Sequence, residues 1–299
     1  MSKFSKKPSF RETGLHSLIT EFALPLTAVK DREYFPSGTA IVIGPFFAIT
    51  AKHVFEDYWG RYHQKLLDSG KFEGSFSVQA VQIVQGNQGL LWNVNRIWLS
   101  PFTDIAFIQL TPGSALAVQH KWRCPRINLL PPPPGSRIVG FGYHSSKIKI
   151  EEDSETVTVE WHDVPTTTVG QVIEIHETRR DERRLKFPCF RTNARFDGGM
   201  SGGPVFNDDG ELCGLICSSM SFPDDGGHHT SYATTLWPAM GTMIDMDRVG
   251  FEQGQEYPVL ELAKLGHITA AGWESIILVR GEASEIKTVG LRKNMSRMG

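Results

Sequence analysis

The stretch DGGMSGGPVF, Asp197 to Phe206, sets four glycines around one serine. Each glycine loses more conformational freedom on folding than any other residue. The cluster therefore implies a turn that no side chain can enter, or a backbone that must come close to a ligand. A serine hydroxyl is a weak nucleophile until a base takes its proton, and that base is usually an imidazole oriented by a carboxylate. Of the ten histidines, His53 in AITAKHVF stands out, because a β run ends in small residues just before it and a short helical turn follows. Taken alone, a histidine at a strand end is more often structural. Asp104, in SPFTDIAFIQL, stands directly ahead of an apolar strand. Acidic residues are almost never fully buried unless paired, and an imidazolium would supply the pair. The plainer alternative is an aspartate capping a turn.

These three residues must be carried by some scaffold, and short β-rich runs dominate the chain. TAIVIGPFFAITA, SVQAVQIVQG, DIAFIQL, SRIVGFGY, TVTVEWHD, TTTVGQVIEIHET, RLKFPCFRT and LCGLICSSM recur with turn signals between them. That spacing predicts an all-β sandwich or barrel rather than alternating βαβ units. Only AKHVFEDYWGRYHQKLLDSG, from Ala51, and PVLELAKLGHITAAG read as helices. Four prolines in a row, Pro131 to Pro134, cannot sit in a central strand, so residues 120–136 read as a connector between two β halves. The charged run ETRRDERRLK, Glu177 to Lys186, is most simply a solvated hairpin tip, and an acidic-partner site is the sharper alternative.

Composition narrows the function classes. With 40% hydrophobic residues, 21% charged residues and a net charge of −2, nothing points to nucleic acid or an anionic membrane as partner. No run of 18 apolar residues suggests a membrane helix. The N-terminal MSKFSKKPSFRETG has no apolar core of a secretory signal, so the expected location is cytoplasmic. Cys124, Cys189, Cys213 and Cys217 form no C-x-x-C pair and have no histidine at zinc-like spacing, so no metal or other cofactor is expected. Cys213 and Cys217 are four residues apart on one strand, roughly 13 Å, too far for a disulfide. Buried free thiols are the expectation. His228 and His229 beside Asp224 and Asp225 could suggest metal, but a surface loop is the simpler reading.

The order His53, Asp104, Ser201 resembles the trypsin-like (chymotrypsin-fold) serine proteases. TAKHV resembles the family's TAAHV, DIAFI its DIALL, and GMSGGPV its GDSGGPV, over roughly residues 30–245. The resemblance implies an all-β fold of two six-stranded antiparallel Greek-key barrels facing each other across a cleft, followed by a C-terminal helix and short extension. His53 and Asp104 would come from the first barrel and Ser201 from the second. It further implies an oxyanion hole made by the backbone N–H groups of Gly199 and Ser201. Substrate-binding positions would be Arg195, Phe196, Cys217, Ser218, Ser219 and Tyr232. The corresponding layout is a flexible N-terminus (1–14), first barrel (15–120), Pro-rich connector (121–136), second barrel (137–245) and C-terminal extension (246–299).

Several positions depart from the family pattern. Met200 stands where many secreted members have an Asp that pairs with a new N-terminus, so the site is expected to form without N-terminal processing. Cys217 stands where a Ser usually bonds the catalytic Asp, and a thiol is a poorer donor. Arg195 stands at the position of an acidic selector, where a buried guanidinium could favour acidic side chains and a solvent-facing one would do nothing. In the C-terminal extension, Val259, Leu260, Leu262 and Leu265 fall at helical spacing after Pro258, ESIILVRG reads as a strand, and RKNMSRMG reads as a disordered tail. The functional expectation is a serine endopeptidase using an acyl-enzyme, with narrow or partner-gated specificity. Its partners would be a protein or peptide substrate and a regulatory protein on the C-terminal extension. A catalytically weak protease-fold binding module and an esterase remain the alternatives.

Overall fold

The computed structural model describes residues 8–13, 18–31, 33–56, 64–84, 88–152, 157–221, 229–248, 250–281 and 285–292. A four-residue strand, β1 (Ser9–Glu12), precedes the first barrel. That barrel comprises β2 (Ala23–Lys30), β3 (Glu33–Gly44), β4 (Phe47–Thr50), β5 (Ser77–Val84), β6 (Gln88–Leu99) and β7 (Ala106–Pro112). It closes in the order β2-β3-β4-β7-β6-β5. The alternation of SVQAVQIV buries Val78, Ala80 and Gln82 while Ser77 and Gln79 between and before them are more accessible, as period-two patterning requires. Leu24, Leu26, Val42, Ile108 and the fully buried Trp92 fill the interior. Trp92 Nε1 donates to Gln82 Oε1 at 2.9 Å, so its one polar atom is satisfied inside the core.

After the short β8 (Ile127–Asn128), the second barrel follows. Its strands are β9 (Arg137–Glu152), β10 (Val157–His176), β11 (Cys189–Thr192), β12 (Pro204–Phe206), β13 (Leu212–Ser221) and β14 (His229–Thr234). They run in the order β12-β9-β10-β11-β14-β13, and the β12–β13 pairing closes the ring. Both barrels are antiparallel within the ring, so the two six-stranded barrels expected from the resemblance are present. Residues 9–12, expected in a flexible N-terminus, instead pair with Thr166–Val169 of β10. They complete an edge that β11, which pairs only from Val172 onward, leaves open.

The chain after the second barrel covers the seam between the two. β15 (Met243–Ile244) pairs with β16 (Tyr257–Pro258), and β17 (Ala270–Ala271) lies parallel to β8. β18 (Ile276–Arg280) and β19 (Ile286–Leu291) form a hairpin whose Ile286 and Val289 join a core shared with Ile41, Phe47 and Leu215 of the barrels. The helix expected from Pro258 onward is a single turn, α1 (Leu260–Lys264), because Pro258 is held in β16. Gly266, at φ +75°, ends it: Gly266 N–H bonds Ala263 O and His267 N–H bonds Leu262 O, the two bonds of a Schellman stop. Leu265 is left 54% exposed, off the buried stripe. The first expected helix is described only at residues 52–56, and residues 57–63, 222–228 and 293–299 lie outside the described residues. The metal alternative at Asp224, Asp225 and His228 and the expected disordered tail fall there.

Cys189, Cys213 and Cys217 are buried free thiols. Cys124 is an exception to the expectation, being exposed on the connector between the barrels. None of the helices among the described residues is long and apolar enough to cross a membrane.

Candidate active site

Strand register brings His53 and Asp104 together. β4 and β7 are hydrogen-bonded neighbours with Thr50 opposite Ala106. His53 lies three residues past that pair and Asp104 two before it, so both stand at the same rim of the first barrel. The His53 backbone N–H donates to Asp104 Oδ1 at 2.9 Å, and His53 Nδ1 lies 2.7 Å from Asp104 Oδ2. A carboxylate oxygen accepts in this contact, so Nδ1 is the donor, and in the neutral ring Nε2 is the nitrogen left with its lone pair. Asp104 is 6% exposed, and both its oxygens are taken by His53. Thr103 and Thr234 share a hydroxyl–hydroxyl bond of 2.6 Å, which ties the Asp104 loop to β14 of the second barrel.

Ser201 sits on a turn built for close approach. Met200 N–H bonds Asp197 O at 3.2 Å, with Gly199 at φ +85° in the third position of that turn, where a side chain would be strained. A Cβ on Gly202 would collide with Thr50 Oγ1 and Thr39 O, so only glycine lets the turn settle on the end of β4. The turn is fastened to β3. Thr39 N–H donates to Ser201 O at 2.8 Å, and Thr39 Oγ1 donates to Gly199 O at 3.2 Å. The same Oγ1 accepts Tyr143 N–H at 3.0 Å. A Cβ on Gly38 would stand 2.9 Å from both Ser201 O and Val54 Cγ2, so the serine backbone lies against the residue that follows His53. Sequence reasoning missed Thr39 and Tyr143. The run TAIVIGPFFAITA reads as β structure, but nothing in it marks a threonine whose partners are 104 and more residues away.

Met200 is fully buried in the second-barrel core, and its Sδ accepts Asp197 N–H at 3.4 Å. Arg195 is not a free selector. Its Nε and Nη2 donate to the two oxygens of Asp197 at 2.9 and 2.6 Å, and the Phe10 ring of β1 lies 4.4 Å from the guanidinium. The bond to Asp197 raises the Arg195 pKa further. His144 Nε2 stands 3.6 Å from the same Asp197 and meets Phe10 edge-on. Phe196 and Tyr232 are packed in the interior at 1% and 3% exposure, Phe196 in the second-barrel core and Tyr232 against Leu185, Cys189 and Cys217. Cys217 Sγ donates to Tyr232 O at 3.2 Å, and burial, with the Asp104 charge adding to it, pushes its thiol pKa well up. Ser218 reaches a cavity and Ser219 is exposed.

Two cavities flank this arrangement. One, of 490 Å³, holds His53, Asp104 and Ser218, together with Lys52, Arg183, Arg184 and Lys186. The other, of 290 Å³, lies between Ser37–Gly38, Tyr143–His144 and Gly198–Gly199. The profile of the trypsin-like peptidase domain matches residues 38–215, which hold His53, Asp104 and Ser201. The chain belongs to the trypsin-like peptidase family. As a member of it, the protein is a serine endopeptidase that acts on peptide substrates.

Among solved structures, this trypsin-like peptidase is similar to Deg5, at 13% identity and TM-score 0.46, over 72% of this chain and 84% of that one. It is also similar to the active form of the Rv3671c protease from M. tuberculosis, at 16% identity and TM-score 0.44, over 73% and 77%. A third is the apo MamO protease domain from Magnetospirillum magneticum, at 13% identity and TM-score 0.43, over 73% and 93%. None of the curated proteins matches the chain.

Proposed function

We propose that this endopeptidase cleaves peptide bonds through Ser201, His53 and Asp104 by way of an acyl-enzyme. Ser201 Oγ attacks the scissile carbonyl and its proton passes to His53 Nε2. Asp104 holds the Nδ1–H tautomer and stabilises the imidazolium. The N–H groups of Gly199 and Ser201 receive the oxyanion, a contribution of about 10²–10³ in rate for one such donor. His53 then protonates the leaving amine, and water releases the acyl group. The observation that carries this reading is the His53–Asp104 pair, bonded at both carboxylate oxygens, on the same barrel rim to which Thr39 fastens the Ser201 turn. A fluorophosphonate probe tests it: the wild-type chain should label and Ser201→Ala should not. An unlabelled, folded wild type would refute the assignment.

The turn should also reach this shape without a charged N-terminus. Met200 fills the core in place of an ion-pairing carboxylate, and β1 supports Asp197 through Phe10 and Arg195. Full-length protein should therefore label without proteolytic trimming. Labelling that appears only after trimming would reject this. Narrow specificity belongs to the same reading, because the His53 cavity sets the cations Lys52, Arg183, Arg184 and Lys186 beside apolar Pro101, Phe102 and Phe187.

A further inference from the structure

Resting on that endopeptidase reading, we propose that the loop between β10 and β11 makes the enzyme select peptides with acidic residues beside the scissile bond, through Arg183, Arg184 and Lys186. All three line the 490 Å³ cavity that holds His53, and Lys52 joins them there. Among the described residues, two carboxylates line the cavity with these four cations, Asp104 and Glu56. Asp104 is engaged by His53, and Glu56 lies 3.8 Å from Lys52, whose Nζ also donates to Ser100 O at 3.3 Å. Among the described residues, Arg183, Arg184 and Lys186 have no side-chain hydrogen bond or ion pair. Their neighbours do: Arg179 lies 3.1 Å from Glu182, and Arg180 lies 3.0 Å from Asp181.

The loop is built rather than loose. Asp181 Oδ1 accepts the N–H groups of Arg183, Arg184 and Leu185 at 2.8, 2.7 and 3.4 Å. These bonds, with that from Arg180, pull the Asp181 carboxyl down to about 2, so the fastening persists throughout the neutral range. Leu185 is plugged at 2% exposure against Cys189, Cys217 and Tyr232, and Arg180 stacks 5.0 Å from the Tyr232 ring. The cations are thus carried on a fixed segment at the edge of the site. Like charges gathered at one cleft repel one another and raise a local positive potential, although the whole chain has a net charge of −2. An extended peptide bearing carboxylates would neutralise that potential, and a basic peptide would be repelled.

Full-length Ser201→Ala protein keeps the backbone of the site and allows binding to be read without turnover. The probes are three pools of rhodamine-labelled octapeptides, degenerate except for three consecutive positions held as Glu, Gln or Lys, measured by fluorescence anisotropy. The Glu pool should bind about tenfold more tightly than the Gln pool, and the Lys pool more weakly than either. The ratio should collapse in about 1 M salt, where the screening length is about 3 Å. Substituting R183Q, R184Q and K186Q together should bring the Glu-to-Gln ratio close to one, while R179Q should preserve it. All four sites are exposed, so these variants should fold. A Glu pool that binds no better than the Gln pool, including no binding of either, overturns the proposal, as does a ratio retained by the triple variant. Wild-type protein that shows the Glu preference yet cleaves none of the pools would count against the catalytic reading alone.

Discussion

The two halves of the candidate active site are held in different ways. In the first barrel, His53 and Asp104 meet because adjacent strands β4 and β7 pair in one register, and both bonds between them are made within that barrel, with Thr103 tying the Asp104 loop to Thr234 of the second. In the second barrel, the Ser201 turn takes two of its bonds from Thr39 on β3, and its Asp197 neighbour leans on Arg195 and, through it, on Phe10 of β1. One half is set by local strand geometry. The other is conditional on barrel docking and on the N-terminal strand. In such an arrangement the Ser201 turn can shift while the His53–Asp104 pair stays intact.

Breaking either half at its chemistry should have the largest effect. Ser201→Ala should abolish fluorophosphonate labelling and lower kcat by about 10⁶, the scale on which a lost nucleophile acts. Asp104→Asn should lower kcat by about 10⁴, because the amide cannot hold the Nδ1–H tautomer, while labelling persists at a much slower rate. Unchanged kcat in either variant would separate these residues from the chemistry.

Thr39→Val sharpens the comparison, since it removes the side-chain part of the seam, keeps Thr39 N–H on Ser201 O, and leaves His53 and Asp104 untouched. Both side-chain bonds go, and the half-buried Gly199 carbonyl and the buried Tyr143 amide lose a partner, at up to about 1–3 kcal/mol each. The expectation is a kcat about tenfold to a hundredfold lower, with the His53 proton resonance retained by NMR. Phe10→Ala acts one step further out and should lower kcat about threefold to tenfold, by loosening Arg195 over Asp197. Equal activity would remove β1 from the account of the turn. Cys217→Ser should change kcat less than about twofold, because a hydroxyl can keep the bond to Tyr232 O.

The C-terminal extension shows how a local pattern can be read too far. Helical spacing from Val259 to Leu265 is real, but Pro258 is recruited into β16 and Gly266 stops the chain at one turn. The run ETRRDERRLK gives the opposite lesson. Its composition reads as a solvated tip, and Arg183, Arg184 and Lys186 are indeed exposed, yet Leu185 and Asp181 hold these three on the wall of the His53 cavity.

The amino-acid sequence by itself determined an all-β chain broken into two halves at the proline run and singled out His53, Asp104 and Ser201, while the pair of barrels followed from the family resemblance those motifs carry. Alternating burial and glycine-dependent turns are local demands, and they are written in consecutive residues. Only the tertiary structure decided that Thr39 clasps the serine turn, that Arg195 is neutralised by Asp197, and that Arg183, Arg184 and Lys186 face the same cavity as His53. Those relations join residues that are distant along the chain or turned by a buried anchor. The physical reason is that hydrogen bonding and charge act over a few ångströms of space, and which side chains come that close is set only when the barrels dock.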